Sequence, residues 1–355
     1  MPPGSIVRGR GVATRPAGRF AREELVPEIG DDEPAPAPAT ELITEQIRSI
    51  ISRNQSPDIP FEQSLNPYRG CEHGCVYCYA RPSHAYLDLS PGLDFEQKIF
   101  TKPEAASVLR RELSKPGYAC RPITLGSNTD AWQPVERNLG ITRQVLEVLV
   151  EFRHPVNIIT KSALVERDLD LLQDLARDNL VDVLVSVTTL DDELKRRLEP
   201  RTPGPRRRLE TLRRLSAAGI PCGVLAAPMI PGLNDHELES ILEAAAGAGA
   251  RYAGYVLLRL PHEVEPIFQE WLQAQYPLKA AKVLSLIRQV RGGALNDARF
   301  GRRMRGSGPI AALLSQRFAA ACRRYGFTRE SESALDTTCF CVPAGPGTQL
   351  DWLGG

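Results

Sequence analysis

The sequence predicts an α/β fold on three observations. Short, near-continuously apolar runs recur at 122–125, 156–160, 181–187, 222–227 and 252–258. Apolar residues at helical spacing lie between them. The length, 355 residues, suits one large α/β domain or two average ones. Runs that are apolar at nearly every position suit strands buried on both faces, as in a parallel sheet covered by helices. Their alternation with helices is the pattern of βαβ units.

Residues 1–40 open the chain with two charge blocks. Arg8, Arg10, Arg15, Arg19 and Arg22 are followed by Glu23, Glu24, Glu28, Asp31, Asp32 and Glu33, then a Pro-Ala tract. So few apolar residues predict a disordered or draped segment. Its Arg-Gly-Arg-Gly stretch (8–11) is expected to be a solvated tail, with contact to an anionic partner as the alternative. The first extended segment falls at 61–67, and the body of the fold is expected over 41–275. Ile141, Val145, Val148, Leu149 and Phe152 form one helical stripe, and Leu209, Leu212 and Leu215 another. The second helix should stop at Gly219, with Pro221 just beyond. Asn234 and Glu237 have the spacing of a capping box ahead of Leu238, Ile241 and Leu242. After Pro261 the pattern turns helical, at 262–275, 279–291 and 309–325. Residues 276–355 therefore read as a helical extension ending in an extended tail packed on the body.

Composition narrows the function. Forty-four Lys and Arg against 43 Asp and Glu give a net charge of +1, which excludes a uniformly basic nucleic-acid binder but leaves local patches. Arginine is dense at 196–214 (Arg196, Arg197, Arg201, Arg206, Arg207, Arg208, Arg213, Arg214) and again at Arg299, Arg302, Arg303 and Arg305. Such patches could dock a phosphate backbone or simply be solvated helix faces. No apolar stretch approaches the ~18 residues of a membrane span, and the N-terminus lacks the apolar core of an export signal. A cytoplasmic location is expected.

Eight cysteines in 355 residues are far too few for a disulfide scaffold. Three of them, Cys71, Cys75 and Cys78, fall within eight residues, just after the first extended segment. Clustered thiolates in a reducing compartment point to metal or iron–sulfur ligation. Three thiolates leave one iron of a four-iron cubane without a protein ligand, and an open position is where a cofactor binds. Gly74 lets the backbone wrap closely, and Tyr77 offers a flat face to a purine. The competing reading is structural zinc with His73 or His84 as fourth ligand, although no second cysteine pair follows at zinc-site spacing. Cys120, Cys222, Cys322, Cys339 and Cys341 read as buried or incidental thiols.

The string NPYRGCEHGCVYCYARPSH resembles the cluster loop of radical S-adenosylmethionine (SAM) enzymes, in the bacterial subgroup related to spore photoproduct lyase. The likeness runs over about residues 60–260. It implies a partial (βα)6 TIM-type barrel holding one [4Fe–4S] cluster on Cys71, Cys75 and Cys78. It also implies reductive cleavage of SAM to methionine and a 5′-deoxyadenosyl radical, fed by a flavodoxin- or ferredoxin-type electron donor. By position, the residues implied to contact SAM are Thr129, Lys161 and Ser186, with Tyr77 beside adenine. Polar residues at strand ends support this independently: Ser127 to Asp130, Lys161, Ser162, Ser186 and Thr188 follow or end their runs, where barrel sites form. Glu199, Arg201 and the segment 229–235 match the subgroup without an assigned role. The relatives return a hydrogen atom from a cysteine after the second strand; here Asn128 occupies that place. The resemblance thus implies a radical SAM enzyme acting on a nucleic-acid lesion, or alternatively on a peptide, tRNA or small metabolite. The non-enzymatic alternative is a zinc-stabilised nucleic-acid-binding module.

Overall fold

The computed structural model describes residues 9–20, 39–328 and 335–343. Among the described residues there are ten strands: β1 (Glu41–Thr44), β2 (Ile51–Arg53), β3 (Gln63–Leu65), β4 (Tyr68–Arg69), β5 (Lys98–Thr101), β6 (Ile123–Leu125), β7 (Val156–Thr160), β8 (Val181–Ser186), β9 (Cys222–Met229) and β10 (Tyr252–Leu257). The main sheet runs β10-β9-β8-β7-β6-β3-β2. Every pair in it is parallel except β2–β3. Six parallel strands, each followed by helical structure, make an open (βα)6 barrel, closed on one edge by the antiparallel β2. A small sheet, β1-β5-β4, lies beside it and leads into the cysteine loop.

The apolar runs became strands because both of their faces are covered. Leu125, Ile158, Val183 and Val224 are fully buried, and the stripe of Val145, Val148 and Leu149 on the helix Ile141–Glu151 is buried in the same apolar core. Leu212 and Leu215 of the helix Pro205–Ala217 are buried likewise, each stabilising by roughly 2 kcal/mol. Three helices follow β10: Val264–Gln275, Pro277–Val290 and Gly308–Tyr325. The tail packs as expected where it is described, with Phe340 against Tyr118, Phe152 and His154. A second core of Val12, Val76, Tyr77, Leu198, Ile230, Phe268 and Trp271 lies behind the cysteine loop.

Two expectations are corrected. Asn234 and Glu237 do not form a capping box. Asn234 accepts the Ile230 amide and donates to the Thr188 and Pro228 carbonyls, while Glu237 accepts from Thr189 and the Leu190 amide. Both side chains tie the loop after β8 to the loop after β9. The N-terminal correction concerns Arg10, which is neither solvated nor open to an anion. Residues 9–20 are draped over the body, and Arg10 is buried against the Glu96 carbonyl. Residues 1–8 and 21–38 of the expected disordered segment lie outside the described residues.

Candidate active site

The cysteine loop follows β4, just beyond the end of β3, and is held from four sides. The Cys71 amide donates to Phe95 O (2.9 Å) and the Val76 amide to Leu198 O (3.0 Å). Gln133, fully buried, accepts the Glu72 amide (2.8 Å) and donates to Gly70 O (3.2 Å). Arg81, also fully buried, donates to Cys75 O (3.0 Å) and to Glu96 (2.5 Å). At Gly74 the backbone has φ +66°, and a Cβ there would lie 2.8 Å from Glu96 Oε2, so the turn requires glycine.

All three thiols of the loop are free, with Cys71 and Cys75 buried and Cys78 half-buried. Burial, then the nearby Glu199 carboxylate, pushes the Cys75 thiol well up; burial does the same for Cys78. Each of these two also feels Cys71. A metal that binds such thiols must displace their protons. Soft thiolates suit iron–sulfur clusters. Among the described residues no group of three His, Cys, Asp or Glu side chains is placed to hold a single metal ion. A cubane asks for something different, one thiolate on each of three irons. Of the zinc alternative's fourth ligands, His84 is engaged elsewhere, its Nε2 meeting Lys98 O (3.1 Å), whereas His73 meets both Asp130 (3.4 Å from its Nδ1) and the Cys71 thiol.

The strand ends surround this loop. Thr129 donates to Gly70 O (2.6 Å), so it fastens the loop. Lys161 follows β7, and among the described residues its ammonium makes no hydrogen bond. Burial works against its charge, yet its interactions with Cys75 and Glu199 hold its pKa above the ordinary lysine value. Ser186 ends β8 with its hydroxyl unbonded among the described residues, while its carbonyl accepts from Arg208 (3.0 Å). Tyr77 is buried in the second core rather than presenting an open face, and its hydroxyl donates to Glu199. The exposed aromatic beside the third cysteine is instead Tyr79, bonded to Ser127 O with the Arg259 guanidinium 5.3 Å from its ring centre.

Several site residues escaped sequence reasoning. Asp130 accepts from Thr160 (2.8 Å) and the Lys161 amide (2.8 Å) and faces His73, joining three segments. Burial would raise its pKa, but His73 and these donors bring it to about 2. Glu199 is fully buried and accepts from Thr188 (2.7 Å), Tyr77 and Arg208; burial raises its pKa, but Arg208 and Lys161 hold it at about 2. Arg201 pairs with Glu72 (3.0 Å) and donates its amide to His73 O (3.3 Å). Only the position of Asp130 after a strand, and the family likeness at Glu199 and Arg201, hinted at any of this.

The first arginine patch is largely spent on carboxylates: Arg197 on Glu193, Arg201 on Glu72, Arg207 and Arg214 on Glu166, Arg208 on Glu199, and Arg213 on Glu210. Some of these acids lie within one helical turn (Glu193, Glu210) and others come from distant segments (Glu72, Glu166); Arg208 is buried, while Arg207, Arg213 and Arg214 stay at the surface. The second patch is different. Arg303 clasps Asp58 (2.5 Å) and Arg299 pairs with Asp297 (2.7 Å), but Arg259, Arg302 and Arg305 have no carboxylate partner among the described residues.

A cysteine-bearing loop at the C-terminal mouth of an open six-stranded parallel barrel defines a class of enzyme. The chain belongs to the radical SAM superfamily, whose family model matches residues 65–245. Enzymes of this superfamily use a [4Fe–4S] cluster and SAM. In fold the chain is similar to spore photoproduct lyase complexed with dinucleoside spore photoproduct, with a TM-score of 0.60 and 14% identity over 81% of each chain. A mutant of that lyase with bound AdoMet and the same dinucleoside gives 0.58, at 15% identity over 83% and 82%. An uncharacterised protein of Mycobacterium tuberculosis is 37% identical over 233 residues, 65% of this chain and 68% of that protein. Another, from Methanocaldococcus jannaschii, is 27% identical over 237 residues, 67% and 84%. Among the described residues no helix is long and apolar enough to cross a membrane.

Proposed function

We propose that Cys71, Cys75 and Cys78 hold the [4Fe–4S] cluster, and that Lys161 and Ser186 bind SAM at its open iron corner. The observation that carries this is the loop of three free thiols at the strand ends, with the Lys161 ammonium charge felt at Cys75 and, among the described residues, no hydrogen bond on that ammonium or on the Ser186 hydroxyl. An ammonium so placed can pair with the methionine carboxylate. Tyr77 and Thr129 act on the cofactor through the loop that they pin. When bound, the pair supplies reductive cleavage of the sulfonium to methionine and a 5′-deoxyadenosyl radical that abstracts hydrogen from substrate. The electron comes from a flavodoxin- or ferredoxin-type carrier. Eight free cysteines favour the reducing cytoplasm. The barrel, 41–275, is the catalytic unit, with 276–355 as its extension.

The substrate we infer is a nucleic-acid lesion. Support comes from the fold shared with spore photoproduct lyase, and from Arg259 beside Tyr79 together with Arg302 and Arg305 in the segment after β10, none of which has a carboxylate partner among the described residues. The test is anaerobic reconstitution, which should give about four irons per chain, falling sharply in Cys75→Ala. Reduction with SAM should release 5′-deoxyadenosine. A full cluster that leaves SAM intact refutes the reading. Deuterium transfer into deoxyadenosine from labelled damaged oligonucleotides should exceed that from peptide, tRNA or metabolite pools; the reverse order removes the nucleic-acid assignment.

A further inference from the structure

The N-terminal strap crosses the outside of the cysteine loop at a distance that no side chain would allow. A Cβ on Gly11 would lie 1.7 Å from Gly74 O. The Gly11 amide donates to Glu96 Oε2 (2.9 Å), and Arg10 donates to Glu96 O (2.6 Å) and Thr40 (3.3 Å). The other oxygen of Glu96 accepts from Arg81 (2.5 Å), which in turn holds Cys75 O (3.0 Å). Glu96 and Arg81 side chains are both wholly buried. A continuous set of bonds thus runs from the strap to the backbone of Cys75. Val12, itself buried, packs into the same small core as Cys75, Val76 and Tyr77. Further along, the strap is fastened independently: Thr14 O accepts the Leu93 amide (3.1 Å), Pro16 O accepts from Ser90 (2.8 Å), and Arg19 pairs with Glu263 (3.0 Å).

The chemistry of this arrangement follows from what sets an iron–sulfur centre's behaviour. Solvent exposure and the hydrogen bonds around the ligating residues tune its reduction potential, and the residues behind the ligands fix their geometry. Without residues 9–12, the outer side of the turn Cys71 to Cys75 would face water. We propose that Arg10, Gly11 and Val12 are positioning residues of the cluster site, closing its outer face and fixing Cys75 through Glu96 and Arg81. This rests on the assignment of Cys71, Cys75 and Cys78 as ligands.

The test uses the full chain with two variants, Gly11→Val and Arg10→Ala, and Arg10→Lys as the conservative rescue. Gly11→Val cannot occupy its place and must lift residues 9–12, while Thr14, Pro16 and Arg19 keep the rest attached. Apo-protein melting should stay near wild type. In the reconstituted protein, the visible cluster absorbance in air should decay at least tenfold faster. The midpoint potential without SAM should rise by a tenfold change in the reduced-to-oxidised ratio, ~59 mV for one electron, because water stabilises the more charged reduced form. Arg10→Lys should restore both. Wild-type lifetime and potential in both variants overturn the proposal. So does a lifetime that falls only in step with apo stability, which assigns the strap to the fold alone. Should Gly11→Val fail to fold, Arg10→Ala against Arg10→Lys decides. A wild-type chain that retains no iron, or a Cys75→Ala chain that retains it all, refutes the ligand assignment instead and leaves a different signature.

Discussion

Replacing Glu199 with glutamine isolates the charge at the centre of the site. In the Glu199–Arg208 pair, 0% and 2% of the side-chain surfaces are exposed, so neither charge can be rescued by water. Glutamine keeps an acceptor for Tyr77 and Thr188 but leaves the Arg208 guanidinium buried without a counter-charge. Breaking one half of such a pair costs about 3–5 kcal/mol. With a urea slope of roughly 3 kcal/mol per molar, the unfolding midpoint should fall by about 1–2 M. Urea unfolding of the apo protein at pH 7, followed by far-UV circular dichroism, measures it. Removing both charges, Glu199→Gln with Arg208→Met, should cost less than the sum of the single changes, with a coupling of about 0.5–3 kcal/mol. A Glu199→Gln midpoint within about 1 kcal/mol of wild type, or strict additivity, would show that the pair is not the anchor argued here.

Three further outcomes follow from the same structure. Asp58, Asp130 and Glu199 titrate at about 2 in the folded chain, held there by Arg303, by His73 and by Arg208 and Lys161 respectively. Depressed carboxylates lend stability that is full above their unfolded values near 4 and is lost as pH falls toward 2, because the unfolded chain then binds more protons. The urea midpoint should therefore drop between pH 5 and pH 2.5, and drop less in Asp130→Asn. Gln133→Leu strands the Glu72 amide in a buried position and should destabilise by about 1–3 kcal/mol; faster hydrogen exchange confined to residues 70–78 would locate the effect. Asp58→Asn should loosen the clasp with Arg303, which joins the β2–β3 connection to the segment after β10, the two edges of the open barrel. Exchange at 54–62 and 297–305 reports it, and unchanged protection there would refute the clasp.

Legibility in the sequence tracked how local each feature was. The strand Val156–Thr160 coincides with its apolar run, and the helix Gly308–Tyr325 begins one residue before the expected Pro309. Asn234 and Glu237 misled because a capping box is a local pattern, whereas their partners, Thr188, Thr189 and the Leu190 amide, arrive from another loop. The arginine run at 196–214 was legible only as charge. Its charges were visible, but Glu166 and Glu72, which neutralise part of it, lie 30 or more positions before the run begins.

What the sequence determined by itself was the alternating barrel and the spacing of Cys71, Cys75 and Cys78, because periodicity and short-range spacing are written in neighbouring residues. Only the tertiary structure decided which charges are consumed and which stay available: Glu199 to Arg208, Glu166 to Arg207, and Lys161 to no hydrogen-bond partner among the described residues. It also brought Gly11 onto Gly74 and Glu96, a contact across 85 positions that no local pattern encodes. The reason is electrostatic and steric together. A buried charge must find its partner wherever the fold brings one, and a backbone can approach another that closely only where both chains have been placed first.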